Sequence, residues 1–242
     1  MTTPLRRFGS VSEGLTFEAG LFSAQGPQVG LWTADANALV CPRAYETRNG
    51  FAQAASLSST RGWPVHVRPT GGGTVPQGRG MANLALSFDA PEGFTIEDGY
   101  RLLTRIFRAG LRVETLDIGN TPGSFCDGDW NLSINGRKLV GTAQRWRPTH
   151  HGSPRVLAHA MVLVSGDIAS GADSVSAFHR DLGLSPVKAD VHTSLCSATH
   201  HTDLPAENLL AAARGELAHL SNPMNFSTKE TNHIHRHHPH PS

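Results

Sequence analysis

One stretch of the chain alternates between apolar and polar residues, the pattern that puts every second side chain on one face of a β-strand. Three strands are predicted, over Gly62–Arg68, Asn83–Phe88 and Val156–Val164. The first of them is the clearest, because Val65 and Val67 alternate with polar neighbours. These segments predict a β-sheet as one layer of the fold.

Other segments have the apolar spacing of helices. One helix is predicted to begin near Thr95, where Thr95 and Asp98 have the spacing of a capping box, and Gly110 is its expected terminator. Two more helices are expected near Asp173–Leu182 and Pro205–Leu220. Since strands and helices follow each other without a strict βαβ order, the predicted fold class is α+β, a mixed sheet with helices packed against it.

Composition narrows the class of protein. The chain has 242 residues and a formal net charge of +1, which fits one large domain and argues against a general nucleic-acid binder. Its three cysteines include no Cys-x-x-Cys pair, so neither a disulfide framework nor a structural zinc site is expected. No apolar run is long enough to span a bilayer and no signal-peptide core is present, so the expected setting is cytoplasmic, without a membrane partner.

The C-terminal stretch is low in complexity and rich in histidine. We expect one domain over residues 1–225 and a disordered tail over 226–242. Two interpretations of the histidines remain open, adventitious metal binding and metal delivery.

A glycine-rich segment follows the first predicted strand. Arg68-Pro69-Thr70 leads into Gly71-Gly72-Gly73-Thr74, and Asn83 lies downstream. Glycines let the main chain approach a ligand closely with N–H groups facing an anion, and Arg68 adds a positive charge. A flexible turn between two strands is the alternative. The spacing matches neither a P-loop nor a dinucleotide-binding motif.

Asn135-Gly136 is the strongest hairpin signal in the chain, because both central residues of a type I′ turn need a positive φ. In such a hairpin Ser133 lies opposite Lys138, which shares a sheet face with Val140. Two interpretations of Lys138 are open. It either protects a sheet edge from aggregation, or it is a cation held toward a carboxylate or acyl carbonyl.

Together these two segments resemble the signatures of the lipoate–protein ligases and the related octanoyl- and lipoyl-transferases. The resemblance covers about residues 10–220 and implies a mixed, largely antiparallel sheet like the catalytic domain of biotin/lipoate protein ligases. It implies that Lys138 is catalytic and stabilises the acyl oxygen. It also implies a set of substrate-binding residues: Arg68, Gly71, Gly72, Gly73, Thr74, Asn83, Gly141, Thr142 and Ala143.

The sequence departs from the family pattern at two points. Gln77 stands where many ligases have a histidine, and the chain leaves no room for the accessory C-terminal domain of many ATP-dependent ligases. In one branch of relatives, a cysteine just before the lysine hairpin carries the acyl group as a thioester, and Cys126 matches that position. A reactive thiolate needs a nearby positive group, for which Lys138 and Arg145 are candidates.

Alternatives to Cys126 as nucleophile stay open. The alternative interpretation of Cys126 is an inert buried thiol. Cys196, with His192, His200 and His201 nearby in sequence, is a competing nucleophile. The adjacent pairs His150-His151 and His200-His201 lack the spacing of known metal sites, so no metal site is expected. Cys41, beside Pro42, is expected at a packed strand end.

Three functions follow from the resemblance. The first is octanoyl or lipoyl transfer through a thioester on Cys126, without a cofactor. The second is ATP-dependent lipoate–protein ligation, with Mg²⁺ bridging phosphates and Asp129 or Asn131. The third is non-catalytic binding of lipoate or of a lipoylated protein. The implied partner is a lipoyl carrier domain of the 2-oxoacid dehydrogenase or glycine cleavage type, with no nucleic acid.

Overall fold

The computed structural model describes residues 5–113, 115–149 and 152–221. Its larger sheet has seven strands, antiparallel except for the β1–β2 pair at one edge. In spatial order they are Arg6–Phe8 (β1), Gln28–Ala34 (β2), Met81–Asp89 (β6), Arg155–Leu163 (β10), Arg137–Arg147 (β9), Leu132–Ile134 (β8) and Asp117–Ile118 (β7).

A smaller, three-stranded sheet has the order Val65–Arg68 (β4), Ala38–Pro42 (β3) and Val75–Gln77 (β5). A 3₁₀ turn at Arg43–Tyr45 follows β3. The helices are Val11–Ser23 (α1), Phe51–Thr60 (α2), Ile96–Leu111 (α3), Ile168–Asp181 (α4), Leu195–Ala198 (α5) and Ala206–Leu220 (α6). This mixed, largely antiparallel sheet with packed helices confirms the predicted α+β class, and none of the described helices is long and apolar enough to cross a membrane.

The two largest apolar clusters among the described residues hold the layers together. The larger core lies between the seven-stranded sheet and the helices α3 and α6, with Leu84, Ile106 and Leu209 among its fully buried members. The second core joins the small sheet to α2 and α4 around Phe178. Helix α1 packs against β2, β6 and β10 and also contacts β4. A cleft therefore remains between the two sheets, beside α1.

The local sequence signals are confirmed where they are strongest. Thr95 caps α3 in a reciprocal capping box with Asp98. Asn135 and Gly136 both have positive φ, 50° and 72°, and the hairpin pairs Ser133 with Lys138. Strands β6 and β10 and helix α6 also lie where they were predicted.

Three boundaries were wrong for tertiary reasons. The first predicted strand begins at Val65, because residues 62 and 63 close the C-terminus of α2 instead. Helix α4 begins five residues before Asp173, capped by Asp167. Gly110 does not end α3. An added Cβ there would lie 2.8 Å from the Cα of Leu209, so this glycine permits the close crossing of α3 and α6. The boundary at 225 and the histidine-rich tail lie outside the described residues.

Candidate active site

The cleft between the two sheets contains a narrow cavity of about 50 Å³, called the inner cavity here. Both sheets and α1 contribute to its walls, which are mostly apolar. The lining residues are Leu15, Glu18, Trp32, Val40, Arg68, Val75, Gln77, Asn83, Cys126, Gly141, Thr142, Ala143, His159, Ala160 and Met161. Six of the eleven predicted site residues are among them, and the other five, Gly71, Gly72, Gly73, Thr74 and Lys138, are not.

Cys126 sits on the loop before the lysine hairpin, at a left-handed φ of 50° that is uncommon for a residue with a side chain. It lines the inner cavity and also a second chamber, larger (about 170 Å³) and more polar, called the outer chamber here. The side chain is partly exposed. The prediction that Cys126 is an inert buried thiol is therefore wrong as to its burial. Cys126 is thus shared by the walls of the two spaces.

The three consecutive glycines at 71–73, called the glycine run here, pack against this cysteine. An added Cβ at Gly72, where φ is +100°, would come closer than 3.0 Å to Cys126 Sγ, and one at Gly73 would lie 3.2 Å from Cys126 Cα. Gly71 has no atom within 4 Å of that position and lines the outer chamber. Two of the three glycines thus allow a close approach of the protein's own cysteine.

Arg68 is buried and holds the glycine run in place. Its guanidinium donates to the carbonyl of Val40 at 2.9 Å, to that of Gly71 at 3.0 Å and to that of Gly73 at 2.7 Å. Burial lowers the pKa of Arg68, and the proximity of Cys126 acts in the opposite direction. Arg68 therefore places a fixed positive charge beside the thiol, a role for which the sequence suggested Arg145. The guanidinium of Arg145 instead lies over the ring of Phe22, at 5.5 Å.

Lys138 is 1% exposed, and its strand β9 lies between β8 and β10, so the interpretation of this residue as a protector of a sheet edge is wrong. Its ammonium donates to the carbonyl of Phe125 and, at 3.0 Å, to that of Cys126. Gly141 makes room for it, since an added Cβ there would lie 3.3 Å from Lys138 Nζ. Burial lowers the pKa of Lys138 to about 8, against the opposing effect of Cys126. Near neutral pH this lysine still carries its charge.

His192 packs against the loop that contains Phe125 and Cys126, called the cysteine loop here. Its Nε2 accepts a hydrogen bond of 2.9 Å from the backbone N–H of Phe125, and the two rings stack at 3.9 Å. Burial, followed by the positive charge of Lys138, lowers the pKa of His192 to about 4. The backbone of Lys138 also bonds to Val191 and Thr193 on either side of this histidine. His192 is therefore a neutral positioning residue, which its sequence context did not reveal.

A buried acid–base pair forms part of the inner-cavity wall. Glu18 on α1 and His159 on β10 are 2.7 Å apart, and the other ring nitrogen of His159 lies 3.1 Å from Thr70 Oγ1. Trp32 donates to Glu18 at 3.3 Å. Burial raises the pKa of Glu18, but the charge and hydrogen bond of His159 outweigh it, so the pKa lies below its ordinary value. This pair joins residues 141 positions apart, which sequence reasoning missed.

Gln77, which stands where many ligases have a histidine, pairs with Asn83 through two reciprocal amide hydrogen bonds of 2.8 and 2.9 Å. Both side chains are buried in the wall of the inner cavity. Each amide thus satisfies the other, and the wall gains polar groups without a charge.

The remaining predicted residues divide between the two spaces. Gly141 lines the inner cavity, and Thr142 and Ala143 line both spaces. Thr142 Oγ1 donates to the carbonyl of Trp130 at 2.8 Å and so ties β9 to the cysteine loop. Thr74 is fully buried and lines neither space.

The competing cysteines and histidines lie elsewhere. Cys41 is fully buried in β3, as expected for a packed strand end, and burial raises its pKa to about 11. Cys196 lies in α5 and lines neither the inner cavity nor the outer chamber. His201 bonds to the carbonyl of Leu111, and no cluster of metal-ligating side chains occurs within the described parts of the chain. His150 and His151 lie outside the described residues.

Fold and site together define an α+β protein whose candidate active site is organised around a cysteine, a lysine and an arginine between two sheets. The chain belongs to the family of the lipoyl protein ligase A/B catalytic domain, whose model matches residues 31–205. The resemblance to this family in the glycine-rich and lysine segments is thereby confirmed.

Two curated relatives carry the name octanoyl-[GcvH]:protein N-octanoyltransferase. The protein from Kyrpidia tusciae is 36% identical over 142 residues, which is 55% of this chain and 49% of that protein. The one from Bacillus velezensis is 30% identical over 190 residues, which is 73% of this chain and 64% of that protein. The chain thus spans 49% and 64% of the length of these two relatives.

Solved structures share the fold at low sequence identity. A protein from T. acidophilum, assigned as a lipoate protein ligase and solved with bound lipoic acid, superposes with a TM-score of 0.64 at 17% identity, covering 90% of this chain and 86% of that one. A lipoate-protein ligase A bound with ATP gives a TM-score of 0.61 at 17% identity, with coverages of 90% and 86%. At such identities these likenesses concern the fold.

Proposed function

We propose that this protein transfers an octanoyl or lipoyl group to a lysine of a lipoyl carrier protein through a thioester on Cys126. The observation that carries the proposal is the position of Cys126, which lines both the narrow apolar cavity and the larger, more polar chamber. An acyl chain in the inner cavity would put its carbonyl carbon at the thiol, with the outer chamber left for the rest of the donor. The names of the curated relatives support the same reaction.

The polar groups around Cys126 fit the chemistry of thioester formation. The Cys126 thiolate attacks the acyl carbon of the donor, a C–S bond forms, and the bond to the donor's leaving group breaks as that group takes up a proton. Arg68 stabilises the thiolate by its charge, without donating a proton. Lys138 uses two of its three N–H donors on backbone carbonyls, which leaves one for the developing oxyanion.

In the second half of the reaction, the amine of the acceptor lysine attacks the thioester. The C–N bond of the amide forms, the C–S bond breaks, and the electron pair returns to Cys126 sulfur. The acceptor is a lipoyl carrier domain, of the glycine cleavage or 2-oxoacid dehydrogenase type. No cofactor takes part in either half.

The test is to incubate the purified protein with an octanoyl-loaded carrier and an apo lipoyl domain, without ATP, and to read all chains by intact mass. We expect an octanoyl adduct on the protein and product on the acceptor, both lost in Cys126→Ala. Cys196→Ala is the matched control, since that partly exposed thiol lines neither space, and it should behave as wild type.

Two other outcomes would replace the proposal. Modification of the acceptor only when free lipoate and Mg-ATP are supplied, and undiminished in Cys126→Ala, would indicate an ATP-dependent ligase with Mg²⁺ near Asp129 or Asn131. Binding of lipoate or of the carrier without turnover in either condition would indicate a non-catalytic binder.

A further inference from the structure

The outer chamber differs in character from the inner cavity. It opens between the glycine run, the cysteine loop and the start of α3, and its rim carries two exposed carboxylates, Asp127 and Asp129. One wall is an aromatic pair, Tyr100 stacked on Trp130 at 5.3 Å with an angle of 6° between the planes. The chamber therefore offers negative charge at its mouth and a flat apolar face on the way to Cys126.

One buried group of this chamber is left without a partner. Asn131 is 3% exposed and lines the chamber, and its side-chain nitrogen forms no hydrogen bond with any described residue. An unpaired buried amide nitrogen costs free energy, on the order of 1–3 kcal/mol in proteins generally, unless a ligand satisfies it. A carbonyl oxygen on a bound ligand is the group that would do so.

We propose that the outer chamber binds the lysyl side chain of the carrier protein, in preference to a phosphate-bearing arm. Asp127 and Asp129 attract the ammonium group, and the Tyr100–Trp130 face packs against the methylene groups of the lysine. The side-chain nitrogen of Asn131 donates to the carbonyl oxygen of the acyl group that the lysine receives. This inference rests on the proposed function and adds the recognition of its acceptor.

The charges around the chamber support this choice of ligand. Arg101 lies over the Trp130 ring at 5.9 Å, but its guanidinium is paired with Glu97. Lys138 is buried behind the cysteine loop, with two of its three donors on backbone carbonyls. The accessible charge at the mouth is therefore that of Asp127 and Asp129, which repels a phosphodiester and raises the local concentration of a cationic amine.

The step balances without any further reactant. The lysyl ammonium releases one proton to solvent and becomes a neutral amine, which attacks the thioester carbon. As the C–N bond forms, the C–S bond breaks, and the second proton passes from nitrogen to the Cys126 thiolate. The products are the amide, the free thiol and one proton.

A single-turnover experiment isolates this recognition from the formation of the thioester. Wild-type protein is loaded from the neutral small donor octanoyl-N-acetylcysteamine, freed of donor, and mixed with either Nα-acetyl-lysine methylamide or hydroxylamine at pH 7.5. The first nucleophile is a cation and the second is neutral. Intact mass follows the loss of the octanoyl adduct, which gives a second-order rate constant for each nucleophile.

In Asp127→Asn/Asp129→Asn we expect the rate constant for the lysine amide to fall about tenfold relative to that for hydroxylamine, with a smaller difference at high salt. Asparagine keeps the acceptor oxygen that Thr121 N–H uses on Asp127, at 2.6 Å. Asp129→Asn alone, on a side chain with no hydrogen bond to the described residues, should give part of the effect. Asp173→Asn, which removes an exposed charge from α4, should leave both rate constants unchanged.

An unchanged ratio of the two rate constants in the double variant, with normal loading of Cys126, would overturn the inference and leave the proposed function standing. Failure of the wild-type protein to form any adduct would overturn the proposed function and the inference with it.

Discussion

The glycine run makes a sharp prediction, because two of its members that look alike in sequence have different surroundings. Gly72→Ala would put a Cβ closer than 3.0 Å to Cys126 Sγ, at a φ of +100° that L side chains rarely adopt. Gly71→Ala adds the same atom where nothing lies within 4 Å. We expect the first substitution to displace the thiol and the second to leave it in place.

The expected magnitude has two parts. A non-glycine residue held at such a φ costs roughly 2 kcal/mol of folding free energy, which corresponds to about 4–8 °C in Tm for a chain of this size. Displacing the thiol by about 1 Å from its reacting position costs on the order of 10²-fold in rate. Most of the chain packs far from this contact, so the fold should persist while the chemistry fails.

The assay is the rate of octanoyl adduct formation on Cys126, read by quenched intact mass beside a thermal melt of each variant. Gly72→Ala should be slowed about 10²-fold and Gly71→Ala much less. Equal slowing of both variants would refute the reasoning, because it would mean that the glycines serve the approach of a ligand and not the seating of the cysteine. A wild-type rate in Gly72→Ala would refute it equally.

Three further predictions follow from the buried ionisable groups. Transfer activity should decline above about pH 8, where Lys138 with its lowered pKa loses its charge, and Lys138→Met should lower the rate about 10²–10³-fold at pH 7 with the decline in the pH profile abolished. The folded-state pKa of His192 is about 4, below its ordinary 6.5. The unfolded chain therefore binds more protons between these values, and stability should fall as pH drops from 6.5 to 4. Chemical denaturation should show a shallower fall in His192→Gln, and an identical slope would contradict this assignment. Glu18→Gln should destabilise the protein by about 3 kcal/mol, because it leaves His159 without its charged partner. Because the pKa of Glu18 is lowered in the folded protein, its carboxylate stabilises the protein at pH values above the pKa of the unfolded state. This stabilisation is lost as the pH falls through the folded-state pKa, so a denaturation series should show less acid sensitivity in Glu18→Gln.

The sequence predicts those features of the fold that depend on residues close together in the chain. Asn135-Gly136 fixes the hairpin and hence the Ser133–Lys138 register, and the Thr95–Asp98 spacing fixes the start of α3. The sequence also pointed to Cys126 and to the glycine run through family resemblance. What it could not give was the meaning of Gly110, because only the position of Leu209, far along the chain, shows why that glycine is needed.

The pairings inside the site were equally hidden. Glu18 and His159 meet because α1 packs across β10, and neither residue stands in a motif. His192 reaches the cysteine loop because its segment hydrogen-bonds to the backbone of Lys138. A histidine 66 positions from Cys126 has no sequence feature that marks it as the acceptor for the neighbouring N–H.

The polar residues of the site act on main-chain groups more than on each other. Arg68 bonds to the carbonyls of the glycine run, Lys138 to the carbonyls of Phe125 and Cys126, and His192 to the N–H of Phe125. The glycine run and the cysteine loop are thus two backbone segments pressed together, each held by a buried cation. The two segments fit each other closely, since the missing Cβ of Gly72 leaves the space that the thiol occupies. This mutual fit gives a physical reason for the glycine-rich and lysine signatures to occur together: they hold the proposed nucleophile, the Cys126 thiol, in one position.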